Sequence, residues 1–326
     1  MEHLNNIKKR GIRGEIFLTI TAIIWGTSFV VQKVSLDYVG PFTFVALRFL
    51  LGALFLFPVA LLLNWIKHKN TAPEAEGRGT GKEAFLTKPT LLGGTACGLA
   101  LFLAASFQQN GLIYTASGKA GFITGLYIVM VPLLGLLLRK KVRGLIWIGV
   151  ALAIGGLYLL CVKEGFTIGK GDLIVLTGAL FWALHILIVD HFTATADCLK
   201  MSVIQIFVAG LLASIPMLVL ESPTVAAILD GAWTILYTAI AVTGIAYTLQ
   251  IFGQRNTEPT VASIIMSLES VFAVISGMLI LNEVLSVKEI IGCVLMFAAV
   301  ITTQLPQKDN PCGTEKCAAK GQVPCP

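Results

Sequence analysis

The chain has 326 residues, of which 56% are hydrophobic and only 13% charged, with a formal net charge of +6 and a mean hydropathy of +0.83. Soluble domains carry about 25% charged residues, so this composition excludes a soluble protein. Long continuous apolar runs, rather than alternating ten-residue ones, point to helices and not an outer-membrane barrel. The charges sit between the apolar runs, not along a face, so no nucleic-acid partner is expected.

Taken in order, the sequence predicts ten membrane spans. They are Ile16–Val34, Pro41–Ile66, Thr90–Tyr114, Gly118–Leu138, Gly144–Val162, Asp172–Val189, Met201–Leu220, Ala232–Gln254, Pro259–Leu281 and Val287–Gln304, each near the length a bilayer requires. The basic N-terminus followed by an apolar run has the outline of a signal peptide, but the run is too long and lacks an A-x-A site, so it is read as an uncleaved first span. Basic residues such as Lys8, Arg13, Lys67, Lys82, Arg139, Lys140, Arg143, Lys200 and Arg255 fall on one side. That places both termini in the cytoplasm of a plasma-membrane protein. No cysteine is placed to form an extracellular disulfide.

The first span carries Trp25 at mid-depth, with Lys33 read as snorkelling at its end. In the second, Arg48 has two readings: it snorkels outward, or it faces a cavity and holds a substrate carboxylate. The polar loop Lys67–Pro89 is a tether without chemistry. The third span has the close-packing pair Gly94-x-x-x-Gly98 and ends in Gln108 and Gln109, of which Gln108 is the better candidate to face the interior. The fourth holds Thr124, Tyr127 and Pro132; the fifth, with Gly155-Gly156, looks structural. Trp182 and His185 lie within a turn of each other in the sixth. No Cys, His or carboxylate is near His185 at ligand spacing, so a metal site is rejected, and a proton-relay, substrate-contact or packing role stays open. The seventh offers Gln205, and the eighth Tyr247 and Gln250 on nearly one face.

The ninth span carries a single carboxylate, Glu269, near its middle. A charge at the bilayer centre costs about 2.5–3.5 kcal/mol on insertion scales, so it calls for a role. A neutral, protonated carboxyl suits burial, and the same property suits proton coupling. Ala262, Met266, Ala273 and Ser276 share its face. The tail with Cys312, Cys317 and Cys325 lacks a strong zinc spacing.

This stretch has a counterpart earlier in the chain. At an offset of 142 residues Glu269 falls on Tyr127, Met266 on Thr124, Gln250 on Gln108 and Thr257 on Thr115. At an offset of 157, Trp25 falls on Trp182, Ser28 on His185, Arg48 on Gln205 and Glu15 on Asp172. The sequence is therefore read as an internal duplication with a functional centre between its halves. The organisation expected is a cytoplasmic N-terminus (1–15), a first five-helix repeat (16–162), a linker (163–171), a second repeat (172–304) and a disordered tail (305–326). Five spans per half make the second repeat enter the membrane inverted, as in many secondary transporters.

The run Ala22-Ile23-Ile24-Trp25-Gly26-Thr27-Ser28-Phe29, the triplet Leu47-Arg48-Phe49 and the stretch Thr115 to Leu126 resemble the EamA family of the drug/metabolite transporter superfamily. So do Ser267-Leu268-Glu269-Ser270-Val271-Phe272-Ala273 and the closing Leu281-Asn282-Glu283. The chain departs from the family at Ser270, where many members have proline, and at Asn282, where many have glycine. The resemblance covers about residues 15–304 and implies alternating-access transport of small metabolites, often efflux of amino acids or related compounds. Independently, a single intramembrane cation disfavours phosphorylated substrates. A zwitterion or neutral metabolite fits better, its amine on Glu269, its carboxylate on Arg48 or an amide, between walls of Trp25, Trp182, Tyr127 and Tyr247. An intramembrane enzyme would need clustered catalytic groups that the spans lack; a passive channel stays open as an alternative. No cofactor is expected. The partners expected are a small-molecule substrate and the lipid bilayer, with protons as a candidate coupling ion and a homodimer as a candidate assembly.

Overall fold

Inside a bilayer every backbone polar group needs a partner within the protein, and an apolar run satisfies this by closing its own i to i−4 hydrogen bonds. The computed structural model describes residues 2–70, 87–115, 117–140, 142, 144–161, 168–281 and 286–305, and among these no strand forms. Most of the Lys67–Pro89 tether, most of the 163–171 linker, the Asn282-Glu283 pair and the cysteine-bearing tail lie outside the described residues.

The long helices are α1 (Glu2–Ser35), α2 (Pro41–Asn70), α3 (Lys88–Tyr114), α6 (Gly144–Cys161), α7 (Lys170–Thr193), α8 (Cys198–Leu220) and α14 (Val287–Gln304). Three further apolar stretches are interrupted. One consists of α4 (Ser117–Gly125) and α5 (Tyr127–Leu137), separated by Leu126. Another joins α10 (Ala232–Tyr237) through a π-helical segment, Thr238–Ala246, to α11 (Tyr247–Gln254), following a short α9 (Val225–Asp230). The last consists of α12 (Pro259–Met266) and α13 (Glu269–Leu281), separated by Ser267 and Leu268. The protein is thus an all-helical, multi-pass membrane protein. Among the described residues, seven helical stretches are long and apolar enough to cross a membrane, and Gly144–Leu160 and Pro259–Ile275 are shorter apolar helices.

Helix packing decides where the centre lies. α3 packs along α7 and α8, α2 along α8, and α6 along α14, while α1 lies against α11, α12 and α13. Small residues permit these approaches. A Cβ on Gly98 would come within 2.8 Å of the Gln205 carbonyl oxygen, and one on Gly94 within 2.6 Å of Ile204 Cβ, which accounts for the small-xxx-small pair of α3. A Cβ on Gly26 would meet the Glu269 carbonyl oxygen at 2.7 Å and the Ala273 nitrogen at 2.9 Å. Gly26 therefore seats α1 directly on the start of α13, beside Trp25.

Candidate functional site

The two split stretches place the central polar groups. In the first, Leu126 closes a tight turn, with its N–H donating to Ile123 O (3.2 Å) and its carbonyl accepting from Val129 N (3.0 Å). In the second, Leu268 N donates to Ile265 O (3.1 Å) and Ser270 N to Ser267 O (3.2 Å). Serine hydroxyls assist there: Ser263 and Ser267 each donate to the carbonyl three residues back, at 2.7 Å. Such back-bonding competes with regular helix and bends it. The interruption thus forms with Ser270, not proline, at its end. Its consequence is that Tyr127 and Glu269 each begin a helix, and the positive end of the α13 dipole lies at the Glu269 carboxylate.

These groups face a partly enclosed cavity with about 490 Å³ of space not filled by atoms, counting its mouth. Of the residues singled out from sequence, Trp25, Arg48, Gln108, Thr124, Tyr127, Trp182, Tyr247, Gln250 and Glu269 all line it. One wall is aromatic. Tyr247 lies with its ring centroid 5.1 Å from that of Trp25 and 6.0 Å from that of Trp182, nearly parallel to the latter, and the two tryptophans are 6.3 Å apart.

Arg48 is 2% exposed, and its guanidinium lies over Phe49 at 4.9 Å and Phe44 at 5.3 Å. Of the two readings open for this residue, the structure adopts the inward one. Nη1 donates to Gln32 Oε1 at 3.1 Å, and Nε has no hydrogen-bond partner. Glu269 is 4% exposed. Tyr127 lies next to its carboxylate, and Tyr247 is within electrostatic reach of both Glu269 and Arg48, although the Tyr127 hydroxyl forms no hydrogen bond of good geometry. Neither Arg48 nor Glu269 forms an ion pair among the described residues. The cavity therefore holds one buried basic side chain and one buried acidic one that do not pair with each other directly. Thr124 Oγ1 and Gln250 Oε1 are also buried without partners, and such atoms are costly unless something completes them.

His185 does not line the cavity. Fully buried, it pairs through Nε2 with Gln205 Oε1 at 2.9 Å and sits edge-on to Trp182 and Tyr247, one layer behind the aromatic wall. Gln109 turns away, its Nε2 donating to Gln32 O (2.9 Å). Lys33 donates to the Leu112 carbonyl. Gln32 and Ser28 also line the cavity and were not singled out from sequence. The signal was available, since Ser28 and Gln32 follow Trp25 at helical spacing, three and seven residues on.

Away from the centre, the two ends differ. At one end Asp172 accepts from Lys119 Nζ (2.5 Å), Thr115 Oγ1 (2.9 Å) and Gly169 N (2.7 Å), tying α4 and the end of α3 to α7. At the other a second, wider cavity of about 1180 Å³ is lined by Lys140, Asp190, Gln254, Arg255 and Glu258 among others. There Lys140 and Asp190 form an ion pair.

Comparison with known proteins gives a consistent result. The model of the EamA-like transporter family matches residues 12–162 and again 169–304. An uncharacterized transporter of Archaeoglobus fulgidus is 32% identical over 292 residues, covering 89% of this chain and 85% of its own length. The uncharacterized inner membrane transporter YedA of Escherichia coli K12 is 25% identical, covering 86% of this chain and 87% of its own. One solved crystal structure superposes with a TM-score of 0.69 at 16% identity, over 88% of this chain and 95% of that one, a likeness of fold alone.

Proposed function

The chain belongs to the EamA-like transporter family, and we propose that it carries a small zwitterionic or neutral metabolite, of the amino-acid type, out of the cell by alternating access. The observation that carries this reading is the central cavity, where buried Arg48 and Glu269 face the same space unpaired with each other. A ligand with a carboxylate and an amine completes both, and its side chain rests on Trp25, Trp182 and Tyr247. Glu269 is the proposed proton-coupling group, because it is the acid of this cavity and begins α13.

The scaffold in this reading has ten spans in two inverted five-helix repeats, 16–162 and 172–304, with a cytoplasmic segment 1–15, a linker 163–171 and a tail 305–326. Three observations support it. The family model matches the chain twice. The contacts of α1 with α12–α13 and with the α10–α11 stretch correspond to those of α7 with α4–α5 and with α3, while α2–α8 and α6–α14 pair with their own counterparts. Interrupted helices bearing central residues are a recurrent feature of inverted-repeat carriers. Efflux is the direction that the family resemblance implies, and the wider cavity at the end rich in basic residues, cytoplasmic by the positive-inside rule, is the face from which substrate would then enter.

The test is counterflow in proteoliposomes preloaded with an unlabelled amino-acid panel. A carrier shows saturable labelled uptake that rises with internal substrate; a channel shows linear uptake indifferent to it. Uptake that survives Arg48→Gln combined with Glu269→Gln removes the proposed pose.

A further inference from the structure

The ligand-free cavity is not left open at its cationic end. Gln32 Oε1 accepts from Arg48 Nη1 at 3.1 Å and from Gln108 Nε2 at 3.3 Å, while Gln32 Nε2 donates to Ser28 Oγ at 3.1 Å. Two donors from different helices, α2 and α3, thus converge on one neutral oxygen carried by α1. Gln32 is 3% exposed, and its backbone is held by Gln109 Nε2 on its carbonyl. Gln108 is itself positioned by accepting from Trp182 Nε1 at 2.8 Å.

We infer that Gln32 is a built-in placeholder: its amide oxygen occupies the position that a substrate carboxylate takes against Arg48 and Gln108, and a ligand must displace it to bind. This inference rests on the carrier reading above and adds a determinant of specificity to it. Its physical basis is a difference in bond strength. A carboxylate brings a full negative charge to the guanidinium where Gln32 brings only an amide dipole, and Arg–carboxylate pairs are among the strong hydrogen-bonded contacts, so a carboxylate outcompetes the amide and a neutral group does not. Arg48 Nε, on the other edge of the guanidinium, is buried without a partner. On release the amide returns to Arg48, so a buried guanidinium is not left without an acceptor between ligands. Gln32 acts through competition and is a specificity-determining residue, not a coupling group.

Two measurements test this on the purified full chain. In the first, thermal stabilisation is titrated with sodium propionate and with propionamide as probes, for wild type, Gln32→Ala and Gln32→Glu. Propionate stabilises the wild type and propionamide does not. Gln32→Ala, lacking the competitor, binds propionate about three- to tenfold more tightly. Gln32→Glu, whose own carboxylate pairs permanently with Arg48, loses the response. Equal propionate midpoints in all three proteins, or no response in the wild type, overturn the inference. In the second, uptake of the amino acids that wild type transports is competed with their decarboxylated amines. Gln32→Glu shifts the preference at least tenfold toward the amines; unchanged selectivity in a protein that still transports overturns the placeholder while leaving the carrier reading intact. Absence of any saturable uptake by wild type is instead the failure of the carrier reading itself.

Discussion

Leu126 and Leu268 stand at the same place in the two halves of the chain, and the helix is interrupted at both, yet one interruption is followed by Tyr127 and the other by Glu269. The same contrast recurs at other equivalent positions of the two halves. Arg48 of the first half stands opposite Gln205 of the second, and Ser28 opposite His185. The shared positions, Trp25 with Trp182 and Gln108 with Gln250, supply wall and amide. The differing positions supply charge, one sign from each half. In the proposed two-repeat reading, duplication accounts for the shared wall and amides, and divergence at a few positions accounts for the acid and the base of the cavity.

Making the halves alike should therefore be most damaging where they differ most. Glu269→Gln keeps the size and hydrogen-bonding capacity of the side chain and removes its charge and exchangeable proton; gradient-driven accumulation should fall by at least tenfold, with the thermal midpoint held within a few degrees. Next comes Arg48→Gln, which gives the first half the residue of the second. Hydrogen bonds to charged groups contribute about 1.5–3 kcal/mol, equivalent to an affinity loss of roughly 10- to 100-fold for ligands bearing a carboxylate. Amines lacking one should lose little, as competition assays would show.

Gly26 offers a test of packing rather than charge, because the equivalent position on α7 is already Ala183. Gly26→Ala forces a methyl against the α13 backbone, and overpacking of this kind costs about 1–3 kcal/mol; a lower thermal midpoint is expected. Ala183→Gly removes only one methyl and should be milder. The smallest effect is expected at the end tied by Asp172. Lys119 corresponds to Val261, so the other end lacks this cation at the equivalent position. Partly exposed pairs contribute up to about 1 kcal/mol. Lys119→Ala should therefore raise the labelling rate of a Ser28→Cys reporter from the outer side only a few-fold.

Much of this was legible in the sequence, for identifiable reasons. Mid-span aromatic, amide and charged side chains are rare enough in an apolar run that Trp25, Arg48, Tyr247 and Glu269 stand out, and each faces the cavity. The helix interruptions were not legible, because Ser270 stands where a proline would have announced one and the bend comes from serine hydroxyls bonding backward. Gln32 was obscured by the adjacent Lys33, which drew that end of the first span toward an interfacial reading. His185 shares a helical turn with Trp182, but periodicity cannot show that Tyr247, from α11, closes the wall between it and the cavity.

The central claim is that a single carboxylate at the second interruption couples transport. The most direct measurement is accumulation of labelled amino acids in proteoliposomes with and without an imposed pH gradient, wild type beside Glu269→Gln. The account predicts uphill accumulation by wild type that requires the gradient and is absent in the variant. Equal, gradient-independent equilibration by both proteins would contradict it and return Glu269 to a packing role.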